Sequence, residues 1–250
     1  IMAQGLFSGQ RQKIKRTARL VRVLVKYGFR DLAQRMGLHD TDLPPEGGDE
    51  GYVRTDQDVY ARIRMVLEEL GPTYVKFGQA FSSREDLLPP RMVAELKKLQ
   101  DRVKPEQLDC RAILSEGVGI SPDDYFSSIA DEPFASASIA QVYRARLLGG
   151  QHVILKVKRP GIRETVVGDL LIMKDFAKLL VAHSDAARKV NLLQVLETFE
   201  KTIHEELSLL NELRNIERFS RNFREEPMVY PLNVYPELSN DDLLCMSYVD

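Results

Sequence analysis

The sequence has few cysteines and no long apolar run. Cys110 and Cys245 are its only two cysteines, and neither has a histidine nearby at ligand spacing. This scarcity argues against a disulfide framework and against a zinc site. A membrane helix needs roughly 18 to 20 consecutive apolar residues, and no stretch approaches that length. The N-terminus also lacks the short apolar core of a signal peptide. We therefore expect a cytoplasmic protein that has no membrane-crossing segment and binds no structural metal.

Charge is unevenly distributed along the chain. Residues 1–39 contain nine lysines and arginines against the single acid Asp31, which gives that segment about +8. Because the whole chain has a formal net charge of −2, the remainder carries about −10. A basic segment of this kind usually has an anionic partner of its own, either a membrane surface or nucleic acid.

Residues 14–32 have the pattern of an amphipathic helix within the basic segment 1–39. On a helical wheel of about 100° per residue, five basic residues form one stripe: Lys15, Arg19, Arg22, Lys26 and Arg30. The rest of the circumference is more apolar than a solvated helix carries, so we expect the helix to pack on another part of the protein. The stripe lacks the interleaved aromatic residues of a nucleic-acid site. We therefore expect peripheral association with an anionic membrane and no nucleic acid; the alternative is a stripe that only faces solvent.

A helical region follows a predicted linker. Residues 40–54 are acidic and rich in proline and glycine, as is typical of a linker. Apolar spacing over residues 55–130 then predicts helices. Their expected positions are residues 59–70, residues 73–82, a helix that begins at Pro89 and Pro90, and helical turns over 105–116 and 121–126.

Residues 131–250 mix strand and helix patterns, which makes the fold class α+β. Alternating β-branched residues predict strands over 139–146 and 152–158, joined by a turn at Gly149 and Gly150. Two long helical patterns follow, over 163–183 and 191–223, with Asn191 as the N-cap of the second. Short strands are predicted over 228–230 and 243–248.

This order of elements matches the plan of a kinase N-lobe. In that plan a loop covers the phosphates, and a strand lysine paired with a helix carboxylate aligns them. Here the turn is Ala135-Ser136-Ala137-Ser138, the strand lysine is Lys156 and the carboxylate is Glu212. Each feature is weak alone, since such a turn is more often only a turn and a strand lysine is usually solvated. Alternation places Lys156 on the same strand face as Ile154, where it could cover a cleft.

Four longer segments resemble the UbiB/ADCK (ABC1-type) family of atypical kinases. Residues 70–79, reading LGPTYVKFGQ, resemble the KxGQ signature of that family. Residues 133–145, reading PFASASIAQVYRA, resemble its alanine-rich loop, and residues 153–162, reading VILKVKRPGI, resemble its lysine-bearing strand. Residues 204–219, reading HEELSLLNELRNIERF, resemble its ExD-containing helix. The segments occur in the family's order over residues 55–250.

The resemblance implies a kinase-like N-lobe, with a small antiparallel sheet and helices, over residues 131–250, preceded by the family's helical extension over 55–130. It implies that ATP or ADP binds here, with Lys156 on the phosphates, Glu212 in an ion pair with Lys156, and residues 135–138 above the phosphates. Alanine in that loop disfavours positive φ and limits how closely the backbone can approach phosphates.

The resemblance also implies a regulatory contact. Lys76 and Gln79 would belong to the extension that covers the active site, with the lysine held by the two carboxylates of the ExD motif. In this chain the motif reads Glu206-Leu207-Ser208. Because serine replaces the second acid, we expect Lys76 to lose one of its anionic partners.

Some parts of a kinase are missing from the sequence. Phosphoryl transfer also requires a catalytic-loop aspartate with an asparagine, and a DFG-type aspartate for magnesium, and the sequence has neither. Residues 243–250 resemble the fifth strand and the hinge, so we expect the chain to end at the hinge without a C-lobe. Magnesium is expected only in a complete protein.

Two functions remain open at this point. The first is the N-terminal part of an ATP-dependent atypical kinase or ATPase that supports ubiquinone or related isoprenoid-lipid metabolism, with quinone-biosynthesis proteins as partners. The second is a non-catalytic scaffold that binds an isoprenoid lipid or a protein partner.

Overall fold

The chain folds into two compact units, each made of two chain segments. The computed structural model describes the backbone of residues 2–36, 58–100 and 104–249, and side chains from residue 13 onward. The first unit comprises residues 1–101 and 163–200, and the second comprises residues 102–162 and 201–250. The predicted linker, residues 40–54, lies outside the described residues.

The grouping differs from the predicted domain boundaries in two places. Residues 163–200, which the sequence pattern assigned to the N-lobe, cluster with the N-terminal helices. Residues 102–130, assigned to the helical extension, cluster with the sheet. The reason for the second difference is that Cys110, Leu114 and Phe126 pack into the core beneath the strands.

The first unit is helical in its described part. Its helices are α1 (Met2–Lys26), α2 (Arg30–Arg35), α3 (Val59–Leu70), α4 (Pro72–Ser82), α5 (Pro90–Leu96), α7 (Ile162–His183), α8 (Asp185–Lys189) and the start of α9 (Leu192–Glu206). The predicted helix over 14–32 is therefore two helices, interrupted at Gly28, which has a φ of 77°. The predicted helices over 59–70 and 73–82, and the start at Pro89 and Pro90, are confirmed.

Helix α1 packs against its own unit, as its apolar circumference predicted. Leu20, Val23 and Leu24 are buried, and Val21 and Val25 form a cluster with Ala33 of α2. Two members of the predicted basic stripe have partners on α3: Arg19 donates to the Glu69 carbonyl and Lys26 pairs with the Glu69 carboxylate at 2.7 Å. The stripe is therefore partly used in packing.

Among the residues that the structure describes, no helix combines the length and the apolar character needed to cross a bilayer.

The second unit is built on an antiparallel sheet. Its strands are β1 (Phe126–Ile129), β2 (Ala135–Ser136), β3 (Ala140–Leu147), β4 (His152–Lys158) and β5 (Leu243–Ser247). The strand order is β1-β3-β4-β5, and the short β2 also pairs with β3. Helices α6 (Cys110–Ile113) and α10 (Leu209–Asn222) belong to this unit. The predicted hairpin over 139–158 and the last strand are confirmed.

The two faces of the sheet have different partners. Tyr143, Leu155 and Leu243 point into a core that also holds Phe126 and Leu114. On the opposite face, Leu244 packs against Leu209 and Leu213 of α10. Because side chains alternate along a strand, this second face is also the one that carries Lys156.

Besides the continuous helix predicted over 191–223, which is interrupted between Glu206 and Leu209, three sequence predictions are wrong in this unit. Residues 121–126 were expected to be helical, but they contain a 3-10 turn, Pro122–Asp124, and the start of β1. Residues 228–230 form no strand; Met228 and Tyr230 are 94% and 72% exposed, so this segment buries too little to pair with the sheet. The helix predicted from residue 105 begins at Cys110, where Asp109 caps it by accepting from the amides of Arg111 and Ala112.

Candidate nucleotide-binding site

Lys156 and Glu212 form an ion pair in the second unit. The Lys156 Nζ lies 2.9 Å from Glu212 Oε1 and 2.7 Å from Oε2, so the ammonium contacts both carboxylate oxygens. The two side chains are 30% and 33% exposed, so the pair is partly accessible to solvent. The pairing predicted from the sequence is present.

The sheet register places the small-residue loop in line with Lys156. Ala135 pairs with Val142 on β3, and Val142 pairs with Lys156 on β4. Directly opposed residues share one face of a sheet, and neighbouring strands lie about 4.8 Å apart. The Ala135 backbone therefore lies about 10 Å from the Lys156 backbone, and the Ala135 side chain is on the same sheet face as the Lys156 side chain.

Glu212 is positioned by a helix break that the sequence pattern missed. The helix predicted over 191–223 ends at Glu206 and restarts at Leu209. Ser208 has extended backbone angles, and its Oγ accepts from the Asn211 amide at 3.3 Å, which makes it the N-cap of α10. Serine is among the preferred N-cap residues, so its presence inside the helical pattern was the available signal. The break places Glu212 in the first turn of α10.

The small-residue loop is held by Arg159, which sequence reasoning did not single out. The guanidinium donates to the Ala137 carbonyl at 2.8 Å and to Ser136 Oγ at 2.7 Å, and it pairs with Glu106. Arg159 is only 5% exposed. It follows Lys156 by three residues in the VILKVKRPGI segment, so its place in that segment was the only sequence signal.

The loop takes its shape without left-handed backbone. Within residues 58–100 and 104–249, the only non-glycine residue with positive φ is Asn191, so Ala135, Ser136, Ala137 and Ser138 all have negative φ. The Ala137 amide donates to the Ala140 carbonyl at 3.0 Å, which closes the turn. A loop of this kind is compatible with alanine, as expected from its Cβ atom.

Gln141 is a second residue that sequence reasoning missed. It is fully buried. Its Oε1 accepts from the Glu106 amide at 2.7 Å, and its Nε2 donates to the Glu106 carbonyl at 2.9 Å. Since Arg159 also contacts this segment through the Lys104 carbonyl and the Glu106 carboxylate, residues 104–106 and the loop share one hydrogen-bonded network.

The remaining predicted site residues divide between the two units. Glu206 lies at the C-terminal end of α9 and lines one cleft of the second unit together with Ser208 and Glu212. Lys76 and Gln79 lie on α4 in the first unit, where Gln79 Nε2 donates to the Leu99 carbonyl at 3.1 Å. The docking of Lys76 on carboxylates stays a prediction.

Gly78 explains part of the KxGQ signature in structural terms. A Cβ atom at this position would overlap Leu99 Cδ1 and would lie 2.9 Å from Leu67 Cδ1. Glycine therefore allows α4 to approach its neighbours in the first unit closely. Two of the signature's positions, Gly78 and Gln79, serve helix packing.

Two thiols lie in the core of the second unit. Cys110 and Cys245 are 4% and 0% exposed. Burial, with a smaller contribution from nearby Asp109 for Cys110 and Glu237 for Cys245, raises the pKa of each thiol to about 12. These thiols are consequently protonated at neutral pH, as is usual for structural cysteines.

The comparisons with known proteins decide the family. The family model described as ABC1 atypical kinase-like domain matches residues 98–250. The chain belongs to the ABC1 atypical kinase-like family. The resemblance seen in the sequence is thereby confirmed, and the second unit is the kinase-like N-lobe of this family, with a small antiparallel sheet and α10 against one face.

Curated relatives carry the name probable protein kinase UbiB. The protein of Azotobacter vinelandii is 36% identical over 247 residues, which cover 94% of this chain and 45% of that protein. The protein of Marinobacter nauticus is 42% identical over 170 residues, covering 68% of this chain and 31% of that protein. The chain thus spans less than half the length of these relatives.

A solved structure is also similar to this ABC1 family chain. It is the complex of Rv3197 with erythromycin from Mycobacterium tuberculosis, with 26% sequence identity and a TM-score of 0.48. The match covers 74% of this chain and 46% of that one.

Proposed function

We propose that this chain is the nucleotide-binding N-terminal part of an atypical kinase or ATPase that supports ubiquinone or related isoprenoid-lipid metabolism. The observation that carries the proposal is the contact of Lys156 with both carboxylate oxygens of Glu212, on the sheet face that also carries the Ala135 side chain. Membership of a kinase-like family and the UbiB name of the relatives support it.

In this proposal Lys156 binds the phosphates of ATP or ADP, and Glu212 keeps its ammonium in place. Residues 135–138 lie over the phosphates. Because Arg159 fixes that loop through two hydrogen bonds, the loop contributes a preformed wall, and Lys156 contributes the positive charge. A kinase-like site also uses magnesium, which neutralises phosphate charge when bound. No described part of the chain groups three or more His, Cys, Asp or Glu side chains around a possible metal position, so we assign no magnesium ligand here.

Titration of the chain with ATP tests this function. We expect weak binding, with a Kd of about 1 mM, equivalent to about −4 kcal/mol. Lys156→Met should weaken it at least about tenfold, or about 1.4 kcal/mol, because it removes the only charge assigned to the phosphates.

The chain offers a matched control for this substitution. Lys174 pairs with Glu200 at 2.6 Å, with side chains 34% and 30% exposed, so Lys174→Met removes an ion pair of the same kind from the first unit. Its ATP affinity should equal that of the wild type. An ATP affinity of the Lys156→Met variant equal to that of the wild type would contradict the proposal.

Lys76, Gln79 and Glu206 are proposed as regulatory residues by their resemblance to the family pattern. Gln79 supports this indirectly, since its bond to the Leu99 carbonyl fixes the helix that carries Lys76. If Lys76 restrains the site, Lys76→Ala should change ATP affinity while leaving the helix content measured by circular dichroism unchanged.

A second function, the binding of an isoprenoid lipid, is favoured by an apolar cavity in the first unit. Its volume is about 430 Å³, and its walls include Leu24, Leu67, Phe77, Ala177 and Leu196. The cavity is partly open to solvent, so its apolar walls are in contact with water when no ligand is bound. Covering apolar surface is favourable by about 25 cal/mol per Å², which favours an apolar ligand at this position.

A displacement assay tests the second function. A fluorescent fatty acid bound to the chain should be displaced by geranylgeraniol, and Ala177→Phe, which fills the cavity, should abolish the signal. Ala80→Phe changes an exposed alanine of α4 in the same unit and should leave the signal intact. If the Ala177→Phe variant still binds the fatty acid, the cavity is not the lipid-binding site.

Peripheral membrane association is proposed for the parts of the basic stripe that α3 does not use. Lys15 and Arg22 are exposed, and each cation near an anionic surface contributes about 1 kcal/mol. Lys15→Glu with Arg22→Glu should abolish salt-sensitive binding to phosphatidylserine vesicles, and unchanged binding would contradict the proposal.

A further inference from the structure

A single carboxylate connects the strand that carries Lys156 to the start of the helix that carries Glu212. Asp241 Oδ1 accepts a hydrogen bond from Ser208 Oγ at 2.7 Å. Its Oδ2 lies 3.1 Å from the Lys158 Nζ. The Lys158 side chain is only 4% exposed, and a buried ammonium needs a charged partner to stay in the interior. We call the contacts Lys158–Asp241–Ser208 the bridge. The burial of Lys158 constrains the bridge at its strand end.

The bridge and the Lys156–Glu212 pair both connect β4 to α10. Lys156 and Lys158 are two residues apart on β4, which places them on one face of the strand. Ser208 and Glu212 are one helical turn apart at the start of α10. The strand and the helix are thus joined at two points. One contact alone fixes a distance, whereas two contacts also fix the rotation of α10 against β4.

The position of Asp241 is fixed by its own turn. Asn240 Oδ1 accepts from the amides of Asp242 and Leu243, both at 2.8 Å, immediately before β5. At the helix end, the Ser208 hydroxyl that donates to Asp241 also accepts from the Asn211 amide. A negative charge near a helix N-terminus is favourable. Both ends of the bridge are consequently well ordered.

We propose that Asp241 is a positioning residue for the Lys156–Glu212 pair. Its carboxylate, bonded to Ser208, takes the place of the acidic side chain that position 208 lacks in this chain. Ser208 occupies the second acid position of the ExD pattern but carries a hydroxyl, and that hydroxyl is bonded to the carboxylate of Asp241. Asp241 acts on the site through α10 and does not contact the nucleotide. The significance of the residue for ATP rests on the proposed function.

The reactivity of Lys156 provides a test that needs no nucleotide. Acetylation of the lysine by an N-hydroxysuccinimide ester, quantified by peptide mass spectrometry, reports how firmly Glu212 holds the ammonium. Glu212→Gln should raise the rate, and Asp241→Asn should raise it about three- to tenfold by loosening α10. In the Glu212→Gln background, Asp241→Asn should add nothing, because its effect passes through Glu212. Additive effects would overturn the proposal.

Asp242 provides the matched control. Its Oδ1 also lies 3.1 Å from the Lys158 Nζ, but the side chain is 71% exposed. Asp242→Asn therefore removes an equal charge from the same lysine and leaves the bond between Asp241 and Ser208 in place. We expect less than a twofold change in the Lys156 rate. If the Asp242→Asn and Asp241→Asn rates are equal, Asp241 only neutralises Lys158 and the proposal is wrong.

Substitutions at Ser208 keep the test decisive if Asp241→Asn does not fold. Ser208→Ala breaks the helix end of the bridge and should raise the Lys156 rate, whereas Ser184→Ala, which removes the equivalent N-cap of α8, should not. Ser208→Asp alone places two carboxylates together and should raise the rate. Ser208→Asp with Asp241→Asn moves the acid to position 208 and should restore the wild-type rate within about twofold; failure of this rescue would contradict the proposed exchange.

ATP titration of the same variants separates this inference from the proposed function. If Asp241 positions the pair and the site binds nucleotide, Asp241→Asn weakens ATP about threefold or more and Asp242→Asn does not. If the wild type binds no ATP, the proposed function fails, while the acetylation rates still decide the role of Asp241.

Discussion

Gly78 of α4 lies directly against Leu99, with no room for a side chain between them. We predict that Gly78→Ala destabilises the chain, although alanine is the better helix former by about 1 kcal/mol. Forcing an extra methyl group into a packed core costs about 1 to 3 kcal/mol, so the net loss should be about 1 kcal/mol. Urea unfolding measures it. Ala80→Gly, the reverse exchange at an exposed position of the same helix, should cost about 1 kcal/mol through propensity alone. A stabilised Gly78→Ala variant would show that the contact is loose.

Arg159→Lys tests the support of the small-residue loop. Lysine keeps the positive charge but cannot reach the Ala137 carbonyl, Ser136 and Glu106 together. Because the guanidinium is buried, we expect the free energy of unfolding to fall by about 3 kcal/mol. We also expect faster hydrogen exchange of the Ala137 amide, which closes the turn. Arg146→Lys is the control: Arg146 is exposed on β3 and donates to the Gly150 carbonyl, so its loss should stay within about 0.5 kcal/mol. Equal losses for both variants would contradict this assignment.

Glu69 makes the packing of α1 on α3 dependent on pH. Burial alone would raise the pKa of Glu69, but hydrogen bonds from Lys26 and Tyr27 outweigh it and hold that pKa below its usual value of 4.5. A carboxyl group with a lowered pKa in the folded state stabilises it above pH 4.5, and this contribution is lost as the pH falls through the lowered value. Glu69→Gln should therefore cost about 1 kcal/mol at pH 7.

The difference in unfolding free energy between wild type and Glu69→Gln should shrink as the pH is lowered below 4.5. Glu68→Gln is the control, since Glu68 is the neighbouring acid of the same helix and pairs with Arg64 instead of α1. Urea titrations at several pH values measure both. A Glu69→Gln difference that is constant between pH 7 and pH 3 would mean that the ionised carboxylate does not hold α1.

The cysteines should be unreactive in the folded chain. Burial raises the pKa of Cys110 and of Cys245 to about 12, and only the thiolate reacts with disulfide reagents. We expect no labelling by Ellman's reagent at pH 8 on the scale of minutes, and two thiols labelled at once in 6 M guanidinium. Rapid labelling of one thiol in native protein would show that its part of the core opens locally.

The lobe could be predicted from the sequence where the pattern is local. Alternation over residues 139–158 gave the hairpin, and with it the face of Lys156. The pairing with Glu212 followed from the resemblance, because the residues between them form helices that no periodicity connects to the sheet. Ser208 was read as part of a continuous helix, since a single serine changes the apolar spacing of α9 and α10 very little. Its N-cap bond to the Asn211 amide is local, but its second partner, Asp241, lies 33 residues away in the sequence.

Arg159 and Gln141 escaped prediction for a related reason. Their importance lies largely in the backbone groups of Lys104, Glu106 and Ala137 that they bind, and a backbone carbonyl leaves no signature in a sequence. The strand β1 was missed because its four residues, Phe126–Ile129, include two serines and follow a proline-bearing turn. This segment becomes a strand because it pairs with β3 at the edge of the sheet.

The division of each unit into two chain segments has a consequence for dissecting the protein. The chain leaves the sheet after Lys158, builds helices of the first unit over residues 163–200, and then returns to form α10. No single cleavage of the polypeptide can therefore separate the two units into two chains. A minimal lobe requires residues 163–200 to be replaced by a linker from Ile162 to Lys201, and the boundary to engineer lies within α9, at Glu200 and Lys201.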